Sequence, residues 1–249
     1  MIFRYFNHLS TEQRSQHADR HLGYSLAFIA GAVNAGGFLA IGQYTSHMTG
    51  IVSSMADRLA VGEFKFALAA MLAWLAFVLG AATTAILINF ARRRQWQSQY
   101  ALSLMVEALL LLVFGVAGAY LNRLHEFLDP VTVLLLCFIM GLQNAIITKV
   151  SNAVIRTTHV TGLSTDLGIE FGKLIYINRD RNPEFAVVAN RGKLVLHFLL
   201  ILYFFIGGLT GAIGFKYIGY KATVLLSVWL ILMACGPIIH DIRSHMRNG

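Results

Sequence analysis

The residues best suited to chemistry stand in a motif that the chain contains twice. Residues 45–50 read Thr-Ser-His-Met-Thr-Gly, and residues 157–162, which begin 112 positions later, read Thr-Thr-His-Val-Thr-Gly. Each copy follows a Gly-x-x-Asn-Ala element, which contains Asn34 in the first half and Asn144 in the second. An internal repeat of this length predicts two structurally equivalent halves. Each half then contributes hydroxyl groups, an amide and one imidazole to an otherwise apolar environment.

These residue types favour the binding of a small polar or anionic solute. Thr49 and Thr161 are predicted to cap two short helices, leaving backbone N–H groups at positive helix ends that attract anions. The histidines would add charge or hydrogen-bond donors at mildly acidic pH. The alternative is structural, with the asparagines and histidines only holding the fold together, and the residues alone leave both hypotheses open. The predicted solute-binding residues are Asn34, Thr45, His47, Thr49, Gly50, Asn144, Thr157, His159, Thr161 and Gly162.

Neither a metal site nor a catalytic site is favoured. His47 and His159 occur singly, without a His-x-x-x-His or Cys pair, although Asp57 or Asp166 would be nearby oxygen ligands. The serine beside the first histidine becomes a threonine in the second copy, and the chain contains no Gly-x-Ser-x-Gly turn. We therefore expect no enzyme activity, no metal and no cofactor.

Two acidic residues are candidates for proton-linked roles. Glu107 has apolar neighbours on both sides and lies about 10 Å along a helix from Tyr100, too deep for its side chain to reach the interface. Asp166 follows the second motif in a short polar segment. For Glu107 the alternative is a protonated or paired carboxyl that faces the helix bundle.

The composition indicates an integral membrane protein. Of 249 residues, 57% are hydrophobic and 13% are charged, whereas a soluble domain has about 25% charged residues. The net charge of +8 comes from basic residues between apolar segments, so they predict membrane-flanking loops and no binding of nucleic acid. Partners are expected to be the lipid bilayer and a small solute, and homo-oligomerisation is left open.

Six stretches are long enough to cross a bilayer, which requires about 20 apolar residues. Two shorter stretches, each following one motif, are predicted half-helices that enter the bilayer and stop. The fold class is therefore an all-α membrane protein with six transmembrane helices and two half-helices. The predicted spans are 22–42, 64–91, 100–121, 131–150, 193–219 and 221–240, and the half-helices are 49–61 and 161–175.

The distribution of basic residues predicts which side of the membrane the two termini face. Six spans with a cytoplasmic N-terminus place 15 Lys and Arg residues inside and 5 outside. Residues 1–21 and 241–249 are then cytoplasmic, and 22–240 form a single membrane domain. Because each repeat, about 22–121 and about 131–240, has three spans, the second enters from the opposite side. Inverted repeats with a midplane site between them are typical of secondary transporters.

The motifs carry a resemblance that covers about residues 20 to 240. They contain, in order, Gly31, Asn34, Ala35, Thr45, His47, Thr49 and Gly50, then Gly141, Asn144, Ala145, Thr157, His159, Thr161 and Gly162, followed by Asp166, Leu167 and Gly168. In these positions the chain resembles the YoaK-like family of bacterial multi-pass membrane proteins, a domain of unknown function. The resemblance implies an integral inner-membrane protein. The repeat pattern predicts a transporter or channel, and the alternative is a non-transporting scaffold or sensor whose repeated motif is structural.

Overall fold

The computed structural model describes residues 16–96, 98–120, 125–178 and 186–248. Across these ranges the chain is helical, with no strand, which confirms the predicted all-α class. The first helix begins six residues before the predicted span, and the last continues beyond residue 240. The helices are α1 (Gln16–Ile41), α2 (Met48–Ala60), α3 (Phe64–Arg93), α4 (Ala101–Tyr120), α5 (His125–Val150), α6 (Val160–Ile175), α7 (Arg191–Ile218) and α8 (Ala222–Asn248), with a 3-10 turn at Gly219–Lys221.

Four described segments are long and apolar enough to cross a membrane: Ala18–Leu39, Phe64–Arg93, Pro130–Val150 and Arg191–Arg243. The last segment has 53 residues and contains α7 and the greater part of α8, and α4 supplies a shorter apolar stretch. Large apolar side chains cover the outer helix faces; Phe205, for example, is 65% exposed. Such a surface suits contact with lipid, because an exposed apolar area of this extent is rare on water-soluble proteins.

Each of the long helices packs chiefly against a helix from the other repeat. α1 packs along α7, α5 packs along α3, and α4 packs along α8. The two short helices remain with their own repeats, since α2 packs on α3 and α6 packs on α7. The first helices of the two repeats have therefore exchanged partners.

Glycines allow α1 and α7 to approach closely. A Cβ atom at Gly31 would overlap the carbonyl oxygen of Phe204, and one at Gly207 would overlap the carbonyl oxygen of Phe28. Both glycines therefore bring one backbone into direct contact with the other, which is the usual function of small residues at helix crossings in membranes.

The crossing of α3 and α5 repeats these contacts at equivalent positions. A Cβ at Gly141 would overlap the carbonyl oxygen of Phe77, and one at Gly80 would overlap that of Phe138. The sequence offset is 110 residues for the helices α1 and α5 and 127 residues for α3 and α7. The α1–α7 and α3–α5 crossings therefore use matching pairs of glycine and phenylalanine carbonyl.

The helices α1 and α5 run antiparallel through the core. Gln143 Nε2 donates a hydrogen bond to the carbonyl oxygen of Leu26 at 3.1 Å, while Gly37, further along α1, lies against Leu136, earlier in α5. Fully buried apolar side chains surround this pair, among them Ile29. Two helices of equivalent sequence thus point in opposite directions where they meet.

Candidate functional site

An asparagine anchors each motif to the helix that precedes it. Asn34 Oδ1 accepts hydrogen bonds from the backbone N–H of Ser46 at 3.2 Å and from its hydroxyl at 2.9 Å. Asn144 Oδ1 accepts a hydrogen bond from the hydroxyl of Thr158 at 2.7 Å. These bonds satisfy amide oxygens that are costly to leave unpaired among apolar helices. Both asparagines, predicted to bind solute, therefore position the motif.

The short helices begin one residue earlier than predicted, and their N-caps lie two residues earlier. His47 and His159 occupy the N-cap positions of α2 and α6, and neither side chain bonds a first-turn amide. Their carbonyl oxygens accept the first helical hydrogen bonds, at 3.1 and 3.0 Å. The prediction that Thr49 and Thr161 are the caps is wrong. The asparagine holds the residue directly before each histidine, Ser46 or Thr158, and the helix starts directly after the histidine.

The motif glycines make room for the histidine rings. A Cβ at Gly50 would overlap the imidazole of His47, and one at Gly162 would overlap the imidazole of His159. Each ring therefore lies over the first turn of its own helix. Both glycines, predicted among the solute-binding residues, accommodate a side chain of their own motif.

The remaining motif residues divide into a buried and an exposed set. Thr45 and Thr157 are completely buried, and their hydroxyls have no hydrogen-bond partner among the described residues. By contrast, His47, His159 and the threonines after them are exposed. Only the exposed set lies at the surface of the described structure.

A cavity of about 670 Å³ lies beside the first motif, between α2, α3 and the start of α5. Its polar wall is one face of α2, where His47, Ser54 and Arg58 follow one another at spacings of seven and four residues. The Arg58 guanidinium pairs with the Glu63 carboxylate and lies 5.1 Å from the ring centroid of Phe66. The opposite walls are apolar, with Phe66, Ala69, Ala70, Leu72, Pro130, Val133 and Leu134.

Ser54 and Arg58 were missed as site residues from the sequence. The signal for them was the helical spacing from His47, which places all three side chains on one face. The repeat pattern does not single out these two residues, because neither has an identical counterpart in the second repeat.

The two motif copies lie apart along the central helix pair. Asn144 is adjacent to Gln143, which bonds Leu26 of α1, and Asn34 lies eight residues further along α1. At 1.5 Å per residue the anchors are about 12 Å apart along the helix axis. The cavity beside His47 contains no residue of the second motif. The two turns thus occupy opposite halves of the pair and do not share this cavity.

The second repeat has a smaller cavity and a different charge arrangement. A space of about 280 Å³ lies at the other end of the central pair. Glu170, which occupies the position of Arg58, accepts hydrogen bonds from Lys173 Nζ at 2.9 Å and from the backbone N–H of Asn190 at 2.6 Å. The Lys173 bond foremost, and then the Asn190 bond, lower the pKa of the Glu170 carboxyl. Glu170 is therefore paired within its own repeat, as Arg58 is paired with Glu63 in the first, but the charge at the equivalent position is opposite.

Neither acidic candidate lines the cavity beside His47. Glu107 is completely buried in α4, and its two carboxylate oxygens have no hydrogen-bond partner in the described part of the chain. Asp166 is exposed on α6. Within the ranges that the structure covers, no three His, Cys, Asp or Glu side chains are grouped as a metal site would require.

Comparison with known proteins identifies a family. The model of a family described as "Protein of unknown function (DUF1275)" matches residues 22–236. The YoaK-like proteins are members of that family, so the resemblance seen in the motifs is confirmed. No curated protein and no solved structure matches the chain.

Proposed function

The chain belongs to the DUF1275 family, and we propose that it is a transporter or channel that passes a small polar or anionic solute through the bacterial inner membrane. The cavity beside His47 carries this proposal. Its volume of about 670 Å³ lies within the range of small-molecule sites, about 300–1,000 Å³. An imidazole, a hydroxyl and a guanidinium converge on one wall, and such groups orient a polar or anionic ligand.

The proposed architecture is six spans in two inverted repeats, with both termini in the cytoplasm. The antiparallel packing of the equivalent helices α1 and α5 supports the inversion. The two helices within the 53-residue segment Arg191–Arg243, together with α4, support a count of six. The surplus of basic residues on one side supports the orientation.

The glycine crossings suggest which parts move. They join α1 to α7 and α3 to α5 through backbone contacts, so each moving body contains one helix from each repeat. The cavity beside His47 lies mainly against α2, α3 and the start of α5, whereas the smaller cavity lies between the start of α1, the end of α5 with the turn after it, and Leu196 of α7. Rocking of one body against the other exposes the two cavities alternately, as in other transporters built from inverted repeats.

The non-transporting scaffold is less well supported. That hypothesis predicts no water-lined cavity between the repeats, and it would be favoured by histidines that are dry, fully bonded and packed. His159 Nδ1 lies 3.2 Å from Arg156 Nη1, but both histidines are exposed. The asparagine anchors do support a structural role for part of the motif, and this role is compatible with transport.

Ligand binding can be tested by thermal unfolding of the detergent-purified protein. The probes are chloride, nitrate, acetate and phosphate, with glycerol and urea as neutral solutes. A probe that binds the folded state raises the unfolding temperature, and its flux is then measured in proteoliposomes. We expect His47→Ala and Arg58→Gln to remove both effects, and Lys216→Gln, an exposed cation on α7, to retain them. Unchanged flux in the folded His47→Ala and Arg58→Gln variants would contradict the site.

The topology requires a separate test. In a variant with Cys137→Ala and Cys235→Ala, single cysteines replace Arg93 or Tyr217, and a membrane-impermeant thiol reagent is applied to intact cells. We expect labelling at residue 217 only. Labelling at residue 93 would place the arginine cluster outside and remove the six-span arrangement.

A further inference from the structure

A basic groove lies at the C-terminal end of α3, distant from the cavity beside His47. Ile86, Asn89, Phe90, Arg93 and Arg94 line it, and its volume is about 570 Å³. The spacings of three and four residues place these side chains on one face of the helix and the turn that follows. The groove is therefore a continuous strip, apolar at one end and cationic at the other.

The cationic end has little acidic compensation. Arg93 and Arg94 are exposed, and neither forms an ion pair in the described parts of the chain. The sequence contains no acidic residue between Glu63 and Glu107. Asp241 approaches this region from α8, but its carboxylate is buried and accepts the backbone N–H of Ser98 at 2.8 Å. Two guanidinium groups thus face outward and can donate paired hydrogen bonds to a phosphodiester.

The apolar end extends toward the centre of the span. Ile86 is 67% exposed and Phe90 is 45% exposed, and seven residues of helix place Ile86 about 10 Å from Arg93. The Arg94 guanidinium lies 5.0 Å from the ring centroid of Phe90, which joins the two ends of the strip. An occupant must therefore combine a negative head with an apolar chain.

We infer that this groove is a binding site for an anionic phospholipid. The phosphodiester lies against Arg93 and Arg94, the Asn89 amide donates to the head or ester region, and an acyl chain follows Phe90 and Ile86. Basic grooves beside a membrane span are suited to anionic lipid headgroups, and each basic side chain strengthens such binding about fivefold. The site depends on α3 crossing the membrane and is independent of transport.

Trp96 provides a reporter, because its ring lies edge-on to Phe90 with centroids 5.8 Å apart. The other two tryptophans are replaced by Trp74→Phe and Trp229→Phe, and the protein is reconstituted in phosphatidylcholine vesicles. Small fractions of phosphatidylglycerol or phosphatidylcholine with brominated acyl chains are added, since bromine quenches tryptophan fluorescence at short range. We expect brominated phosphatidylglycerol to quench Trp96 more strongly at the same mole fraction.

Two pairs of charge substitutions distinguish specific lipid binding at the groove from non-specific electrostatic attraction of anionic lipid to the protein. Arg93→Gln with Arg94→Gln should remove the preference for phosphatidylglycerol, because each arginine lost lowers the relative affinity for that lipid about fivefold. Arg191→Gln with Lys193→Gln removes the same charge from the start of α7 and should leave the preference for phosphatidylglycerol unchanged. Equal quenching by both lipids, a preference that survives the first pair, or a loss in both pairs overturns the site. Loss of the preference on adding inorganic phosphate, but not chloride of equal ionic strength, would assign the groove to free phosphate and also overturn it.

Discussion

The amide oxygen of Asn144 lies 2.7 Å from the hydroxyl oxygen of Thr158 and accepts its hydrogen bond. Asn34 makes the equivalent bond with Ser46 in the first repeat. Each bond holds a polar turn against the helix that precedes it, and the short helix starts from that point. The position of each exposed histidine therefore depends on an asparagine in a neighbouring helix.

Replacing Asn144 by leucine should destabilise the fold. The Thr158 hydroxyl would lose its acceptor in a half-buried position, at a cost of about 1–3 kcal/mol in the free energy of unfolding. Thr158→Ser, which introduces the residue found at the equivalent position of the first repeat, should leave the free energy of unfolding nearly unchanged. Asn89→Leu is the control, because Asn89 is exposed on α3. Chemical unfolding in detergent measures these differences, and equal values for Asn144→Leu and Asn89→Leu would show that the anchor contributes nothing.

Neighbouring glycines on α7 should respond differently to alanine. A Cβ at Gly207 would overlap the carbonyl oxygen of Phe28, whereas one at Gly208 would lie 3.7 Å from its nearest neighbour, the carbonyl oxygen of Gly31. Gly207→Ala should lower the free energy of unfolding by about 3 kcal/mol through overpacking. Gly208→Ala should raise it by about 0.5–1 kcal/mol, because alanine favours the helix. If both variants unfolded alike, the close crossing of α1 and α7 would be disproved.

The stability of the second repeat should depend on Glu170 at acidic pH. Its pKa is lowered from 4.5, first by Lys173 and then by the backbone of Asn190. A carboxyl whose pKa is lower in the folded state contributes stability above the unfolded-state pKa, and loses it as the pH falls through the folded-state value. The difference in unfolding free energy between the native protein and Glu170→Gln should be constant at neutral pH and shrink below about pH 4.5. A difference that persisted to low pH would exclude these bonds as its cause.

Removal of the Glu107 carboxyl should separate stability from function. Both carboxylate oxygens are buried without a partner among the described residues, and an unpaired buried polar group costs about 1–3 kcal/mol. Glu107→Leu should therefore raise the thermal unfolding temperature. If Glu107 has the predicted proton-linked role, the same variant and Glu107→Gln should both lose solute flux across a pH gradient. A lower unfolding temperature in Glu107→Leu would show that the carboxyl stabilises the fold.

The sequence predicted the elements well because their signals are local. Apolar length defined the long helices, and the repeated motif located the two short ones within one or two residues of their observed starts. The N-caps were wrong because the start of each helix depends on a bond to Asn34 or Asn144, which lie 12 and 14 residues before the motif residues that they bond. A rule based on neighbouring residues contains no information about that bond.

The partner exchange between repeats could not be predicted from the residues. Glycines such as Gly31 and Gly207 favour close packing of membrane helices, but glycine has no side chain that specifies which carbonyl it will meet. The choice of Phe204 and Phe28 as partners depends on the shapes of two complete helices. The inverted repeats predicted one midplane site between the motifs, and the two anchors lie about 12 Å apart along α1.

The partner exchange also has a consequence for biosynthesis. The helix α1 leaves the ribosome about 150 residues before α7 begins, so its glycine face has no native partner while the first repeat is being inserted. The helix α3 similarly has no native packing partner until α5 has been synthesised. Because contacts between distant segments form only after both have been made, neither repeat can complete its packing alone. The membrane protein therefore acquires its native core late, and a chain that stops before Arg191 leaves Gly31 facing lipid.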